Sequence, residues 1–301
     1  MGSSLLLILP ACSAALYALA SLLFKRGFES GAGKRHAFHL TNLAVGLTYA
    51  PLYLLHRDAF PWSRLHEPAL TAATFYLGGW LSFLALRRAD VSIVTPLLGT
   101  KAVFVAAASI VLLREVPSLL LWSAAVLTAV GILIMNRAHK TALPLSFGDR
   151  IVPISAALAG AACFGISDVF VRKWAPSFGP WAFLPAASVL VALASYIAIR
   201  VQGLQTIRKG YRPCRWLVAG ALLTAAQAIG IGIALSFHPN PTAVNIVYAS
   251  RALWTIALVW LCGSFLDLHE IRQGHGVLVN RLAGSLFITG AIVLAVLDQE
   301  R

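Results

Sequence analysis

The sequence predicts an all-α integral membrane protein with ten transmembrane helices, arranged as two inverted five-helix repeats. Three observations predict it. Of the 301 residues, 59% are hydrophobic and only 12% are charged, too few charges to cover a soluble globule of this size. Apolar runs close to the ~20 residues of a spanning helix recur along the whole chain. A motif containing a cation inside such a run, Gly99-Thr100-Lys101-Ala102-Val103-Phe104, returns 150 positions later as Ala249-Ser250-Arg251-Ala252-Leu253-Trp254.

The first run, residues 5–24, ends at Lys25-Arg26. Met1-Gly2-Ser3-Ser4 puts no positive charge ahead of it, so a cleaved secretory signal is not expected, and Leu6 breaks the myristoylation pattern. Residues 39–55 lie between Lys34-Arg35 and Arg57, and residues 70–86 between Arg64 and Arg87-Arg88. The fourth run, 91–113, enters at Asp90 and stops at Arg114; the fifth, 119–135, stops before Arg137. Residues 136–150 are polar and hold Pro144, Ser146 and Gly148, the composition of a linker, which divides the chain into repeats 1–140 and 141–301. In the second half, residues 152–171 end at Arg172-Lys173 much as the first run ends at Lys25-Arg26. Residues 181–199 precede Arg200, 216–237 follow Arg215, 243–261 enter at Asn240, and 282–297 follow Arg281. None of these runs has the short alternating pattern of a membrane barrel. An odd number of spans per half turns the second copy upside down relative to the first, with a site expected at the repeat interface near the midplane. Gly78-Gly79 and Gly230 with Gly232 are expected to allow close helix contacts.

A net charge of +13 invites a nucleic-acid reading, but the Lys and Arg residues lie in short loops between spans. They are read as topology determinants and contacts for acidic lipid headgroups, and no nucleic-acid partner is expected. Odd-numbered loops hold sixteen of them and even-numbered loops with the termini six, which by the positive-inside rule favours termini outside the cell. Cys12, Cys163, Cys214 and Cys262 have no paired spacing, and all eight His residues fall in loops or near span ends, so neither metal nor cofactor is expected.

Lys101 and Arg251 are the candidate site. Each lies about 11 residues past Asp90 or Asn240, near the middle of a ~30 Å hydrocarbon layer at a rise of ~1.5 Å per residue. A cation there costs roughly 2.5–3.5 kcal/mol or more and so marks a bundle interior or a wet cavity. Beside Arg251 the same helical face carries Tyr248 and Trp254, which suits a ligand with an anionic end and a ring or apolar body. Thr95, Asn245 and Gln227 are candidates for neutral hydrogen bonds to it. Asp168 is the one carboxylate deep in a span. It is read either as a coupling group or counter-ion to the cations, or as a helix-end partner of Arg172 one turn later. The alternative for the two cations themselves is internal pairing or snorkelling.

The stretch Ala85-Leu86, Ala89-Asp90-Val91-Ser92-Ile93-Val94-Thr95-Pro96-Leu97, Val103-Phe104 and Leu112-Leu113-Arg114-Glu115-Val116-Pro117-Ser118 resembles the drug/metabolite transporter superfamily, specifically the EamA-type ten-helix permeases. Three positions depart from that pattern: Ala102 and Ala252 stand where the family usually has Pro, and Arg114 where Gly usually precedes Glu. The resemblance implies a permease rather than an enzyme, with termini in the cytoplasm, against the charge count. The phosphate-linked branches of the superfamily similarly carry Lys or Arg on the fourth and ninth helices, which implies an anionic substrate held between Lys101 and Arg251. The expected function is therefore a permease moving a small organic anion by alternating access, in the bacterial inner membrane, with membrane lipids as surroundings and a homodimer left open. The rivals are an exporter of neutral or amino-acid-like solutes, and a membrane-embedded enzyme or flippase acting on a lipid phosphate.

Overall fold

In lipid every backbone N–H and C=O has to be satisfied within the chain, so long apolar runs fold as helices. The computed structural model describes residues 6–31, 33–88, 94, 97–135, 147–201, 215–262 and 275–298, and among them there is no strand. The helices are α1 (Ile8–Glu29), α2 (Lys34–Tyr49), α3 (His66–Arg88), α4 (Lys101–Leu112), α5 (Leu119–Met135), α6 (Phe147–Phe178), α7 (Pro180–Val201), α8 (Arg215–Phe237), α9 (Pro241–Tyr248), α10 (Arg251–Cys262) and α11 (His275–Leu297). Because α9 and α10 are two pieces of one span, these make ten helical segments. Seven stretches are long and apolar enough to cross a bilayer, and Leu97–Leu112 and Leu119–Met135 are shorter apolar helices. Large apolar side chains such as Leu47, Val111, Leu119, Leu261 and Leu286 are exposed on the outside, as a lipid-facing surface requires.

Local sequence explains where several helices start and stop. The second run is helical only to Tyr49 and continues as a 3-10 turn over Ala50–Leu55, because Pro51 has no N–H to give the α-helical ladder. The sixth helix is longer than its apolar run and stops at Gly179, whose φ of +93° is open to glycine at low cost. Asn240 caps α9: its side-chain oxygen accepts from the N–H of Thr242 at 3.0 Å and of Ala243 at 3.3 Å, and Pro241 fills the first helical position.

Between helices, small residues set the contacts, since lipid tails are as apolar as leucine and association rests on close packing. A side chain on Gly78 of α3 would come within 3.1 Å of the Gly160 carbonyl of α6, and one on Gly131 of α5 within 2.8 Å of the Gly284 carbonyl of α11. Contacts across the two halves come in exchanged pairs. α3 packs on α6 as α8 packs on α1; α2 packs on α8 as α7 packs on α3; α4 packs on α6 as the α9/α10 span packs on α1. α2 with α7, α5 with α11, and α4 with α9 are each other's counterparts. The core sits where these helices converge, around Tyr49, Phe178, Phe183, Leu235 and Val244 on one side and Ala102, Leu121, Ala243 and Ile246 on the other.

Arg114 is the non-glycine residue with a positive φ, 60°, among those described. It follows the end of α4, where Leu113 N–H donates to the Ser109 carbonyl at 3.0 Å and Glu115 N–H reaches back to the same carbonyl at 3.4 Å, so that the chain folds over the helix C-terminus. That geometry favours glycine, and a left-handed backbone costs a non-glycine residue roughly 1–2 kcal/mol. Arg114→Gly is expected to stabilise the protein by about 1 kcal/mol, read as a raised unfolding midpoint in detergent; a lowered midpoint refutes the strain.

Candidate functional site

The fourth and ninth spans both step out of α-helical geometry immediately before their cation. In the first half, Thr100 N–H donates to the Leu97 carbonyl at 3.2 Å and Val103 N–H to the Thr100 carbonyl at 2.9 Å. In the second, Ser250 N–H donates to Val247 at 3.0 Å, Ala252 N–H to Ala249 at 3.1 Å, and Leu253 N–H to Ser250 at 2.8 Å. These are i to i+3 bonds, a 3-10 step of the kind found at hinges. The missing prolines at Ala102 and Ala252 put a break in doubt on sequence grounds, and the chain makes one anyway by tightening its turn. Lys101 and Arg251 are thereby the first residues of α4 and α10.

The two cations meet at one aromatic ring. Lys101 Nζ lies 6.0 Å from the centre of the Tyr248 ring, and Arg251 Cζ lies 5.0 Å from it. Arg251 Cζ also lies 5.0 Å from the centre of the Tyr17 ring of α1, and the two tyrosine rings contact each other edge to face at 6.2 Å. Such contacts stabilise a desolvated guanidinium by about 2 kcal/mol each. The Tyr248 hydroxyl donates a hydrogen bond of 2.9 Å to Gln227 Oε1 of α8. Lys101 has the Phe164 ring of α6 at 5.9 Å.

Asp168 of α6 completes the cluster. Its Oδ2 is 2.6 Å from Lys101 Nζ, with the two side chains 11% and 19% exposed respectively. The helix-end pairing with Arg172 is not what forms: Arg172 Nε donates instead to the Pro239 carbonyl at 3.1 Å. Tertiary contact wins because α4 delivers an ammonium directly to the carboxylate, whereas the Arg172 side chain runs toward the helix end. Arg251 lies in the electrostatic field of Asp168 but forms no ion pair among the described residues. Among the described residues the cluster therefore holds two cations and one carboxylate.

Other sequence candidates are placed as follows. Gln227 is buried and bound to Tyr248, inside the cluster. Asn245 is buried but turns back on its own helix, donating to the Pro241 carbonyl at 3.0 Å. Trp254 is 43% exposed and stands outside the cluster. Thr95 lies outside the described residues. Two hydroxyls are buried without a hydrogen-bond partner among the described residues, Thr242 Oγ1 and Ser250 Oγ, the latter next to Arg251. Unsatisfied buried hydroxyls are uncommon and mark places where a ligand or water takes the bond. Tyr17 and Phe164 were not picked out from sequence. Tyr17 is a hydroxyl-bearing ring deep in the first span, but nothing local ties it to a cation 234 positions away.

Residues 3–137 match the EamA-like transporter family. A protein of known crystal structure superposes on 99% of this chain and 98% of its own with a TM-score of 0.72 at 15% identity, a likeness of fold alone. No curated protein matches the chain significantly.

Proposed function

We propose that this chain, whose residues 3–137 match the EamA-like transporter family, is a permease for a small organic monoanion, working by alternating access. The observation that carries this reading is the charge of the central cluster. Lys101 and Arg251 share the Tyr248 ring, and among the described residues Asp168 answers only one of them, which leaves one uncompensated positive charge in the buried cluster. A buried charge without a partner is costly, and an anionic ligand relieves it. Arg251 supplies a planar fork of donors that fits a carboxylate, and Tyr17 and Tyr248 offer faces for a ring or apolar body. The Ser250 hydroxyl, buried and unpartnered beside Arg251, is a further donor for the ligand. A dianionic phosphate ester fits less well than a carboxylate, because Lys101 is already neutralised.

The moving parts in this reading are the two repeats, 1–140 and 141–301, related as inverted copies in the membrane of a cell, with the bacterial inner membrane as the expected site. The exchanged contact pairs and the matched 3-10 steps support that relation. Rocking of one half against the other exposes the cluster to each side in turn.

The test is thermal stability of the purified protein against monocarboxylates, phosphorylated sugars, neutral amino acids and cationic drugs, followed by counterflow of the best ligand in proteoliposomes. Stabilisation and counterflow by monocarboxylates are the expected result. Stabilisation confined to neutral or cationic compounds overturns the anion reading and leaves a transporter of another substrate class.

A further inference from the structure

We propose that Asp168 is the proton carrier of this transporter, so that each anion crosses together with one proton. The inference rests on the anion reading of the same cluster and adds its coupling. Its basis is how Asp168 is held. Among the described residues the Lys101 ammonium, 2.6 Å from Oδ2, is its one direct partner, and that buried oxygen accepts no hydrogen bond from backbone or hydroxyl. A carboxylate fixed by several N–H donors keeps its charge whatever the nearby cations do; this one depends on the cations alone.

Those are the cations a ligand would use. The charged and titratable groups facing Asp168 are Lys101 from α4, Tyr248 from α9 and Arg251 from α10. The other helices packed on α6 bring no charge into contact with it among the described residues: α3 has its Glu67 tied to Arg64 at 2.9 Å, α7 carries Tyr196 and Arg200 bound to each other, and α8 contributes the neutral Gln227. On α6 itself Arg172 is engaged by Pro239. An anion entering between Arg251 and Lys101 therefore competes with Asp168 for the ammonium and sets a second negative charge beside it. A second carboxylate beside Asp168 disfavours its ionised form, so ligand entry draws a proton onto Asp168 and frees Lys101 for the ligand. By linkage, a proton on Asp168 equally promotes anion binding.

The charges balance. The empty cluster carries +1 from Lys101, Arg251 and ionised Asp168. With one monoanion and one proton it again carries +1, whereas the anion alone would bring it to zero. Loaded and empty forms then cross the midplane with the same charge, and the cargo of one anion plus one proton is neutral. On the side where the proton leaves, Asp168 re-forms its pair with Lys101 and displaces the anion.

Calorimetric titration of benzoate, a ring with a single carboxylate, into the detergent-purified protein tests this directly. Run near neutral pH in two buffers of different ionisation enthalpy, it counts protons taken up per anion bound. About one proton per benzoate is expected for the wild type and for Asp168→Glu. Asp168→Asn is expected to take up none while binding benzoate about tenfold more tightly, because Lys101 no longer has a competitor. Benzoate binding to the wild type without proton uptake, or uptake that persists in Asp168→Asn, overturns the proposal and leaves the anion site standing. Absence of benzoate binding in both the wild type and Asp168→Asn overturns the anion reading and the coupling with it. If Asp168→Asn does not fold, loss of uptake in Lys101→Gln with the carboxylate intact carries the same decision, since the exchange of partners needs the ammonium; uptake unchanged there overturns the proposal.

Discussion

Replacing Arg251 with alanine is expected to weaken monocarboxylate binding by about 100-fold and to abolish counterflow, while the protein remains folded. A buried charge-assisted hydrogen bond contributes roughly 1.5–3 kcal/mol, and 1.4 kcal/mol is a factor of ten in affinity. Loss of two such bonds from one guanidinium therefore gives about two orders of magnitude or more. Folding is spared because no carboxylate among the described residues is paired with Arg251; its neighbours are the rings of Tyr17 and Tyr248, which pack on each other without it. Arg251→Lys separates charge from geometry: it keeps the cation but loses the fork, and an intermediate loss of about tenfold is expected. Equilibrium binding with the three proteins side by side is the measurement. Wild-type affinity in Arg251→Ala removes Arg251 from the ligand site.

Lys101→Ala is expected to act on stability as well as on transport. It leaves Asp168 buried without a cation in contact, and breaking a buried pair by deleting one partner typically costs about 3–5 kcal/mol, where the pair itself is close to neutral. The double variant Lys101→Ala, Asp168→Asn should recover most of that loss, because the orphaned charge is gone. Chemical unfolding in mixed micelles of the wild type, both single variants and the double variant gives the coupling. A double variant no more stable than Lys101→Ala would mean that the 2.6 Å contact carries no coupling and that Lys101 supports the fold through its packing on Phe164 and Tyr248.

Much of the candidate site was legible because intramembrane charge is rare. Lys101, Arg251 and Asp168 stand out of apolar runs by chemistry alone, and their order of depth follows from helical rise. Tyr248 and Gln227 were legible as candidates, but their bond to each other was not, since it joins positions 21 apart on different helices. Asn245 shows the opposite failure. A polar side chain within a span has its own backbone as the nearest acceptor, and here it takes the Pro241 carbonyl one turn back. The step before each cation was hidden for a related reason. Without proline, a 3-10 turn differs from α-helix by small changes in ψ that no residue type announces.

The sequence by itself determined that this chain lives in a membrane, that it folds as a series of mostly apolar helices, and that two cations occupy matching places in a repeated motif. These follow from one-dimensional quantities: the length of apolar runs, the position of loop charges and the recurrence of a motif. Only the tertiary structure decided which charges neutralise each other. Asp168 had a local partner in Arg172 and took a distant one in Lys101, and Arg251 was left against two tyrosine rings. Partner choice depends on which helices pack together, and that packing is set by glycine and alanine contacts spread over the whole bundle, whose energies are individually too small to read from any one stretch of chain.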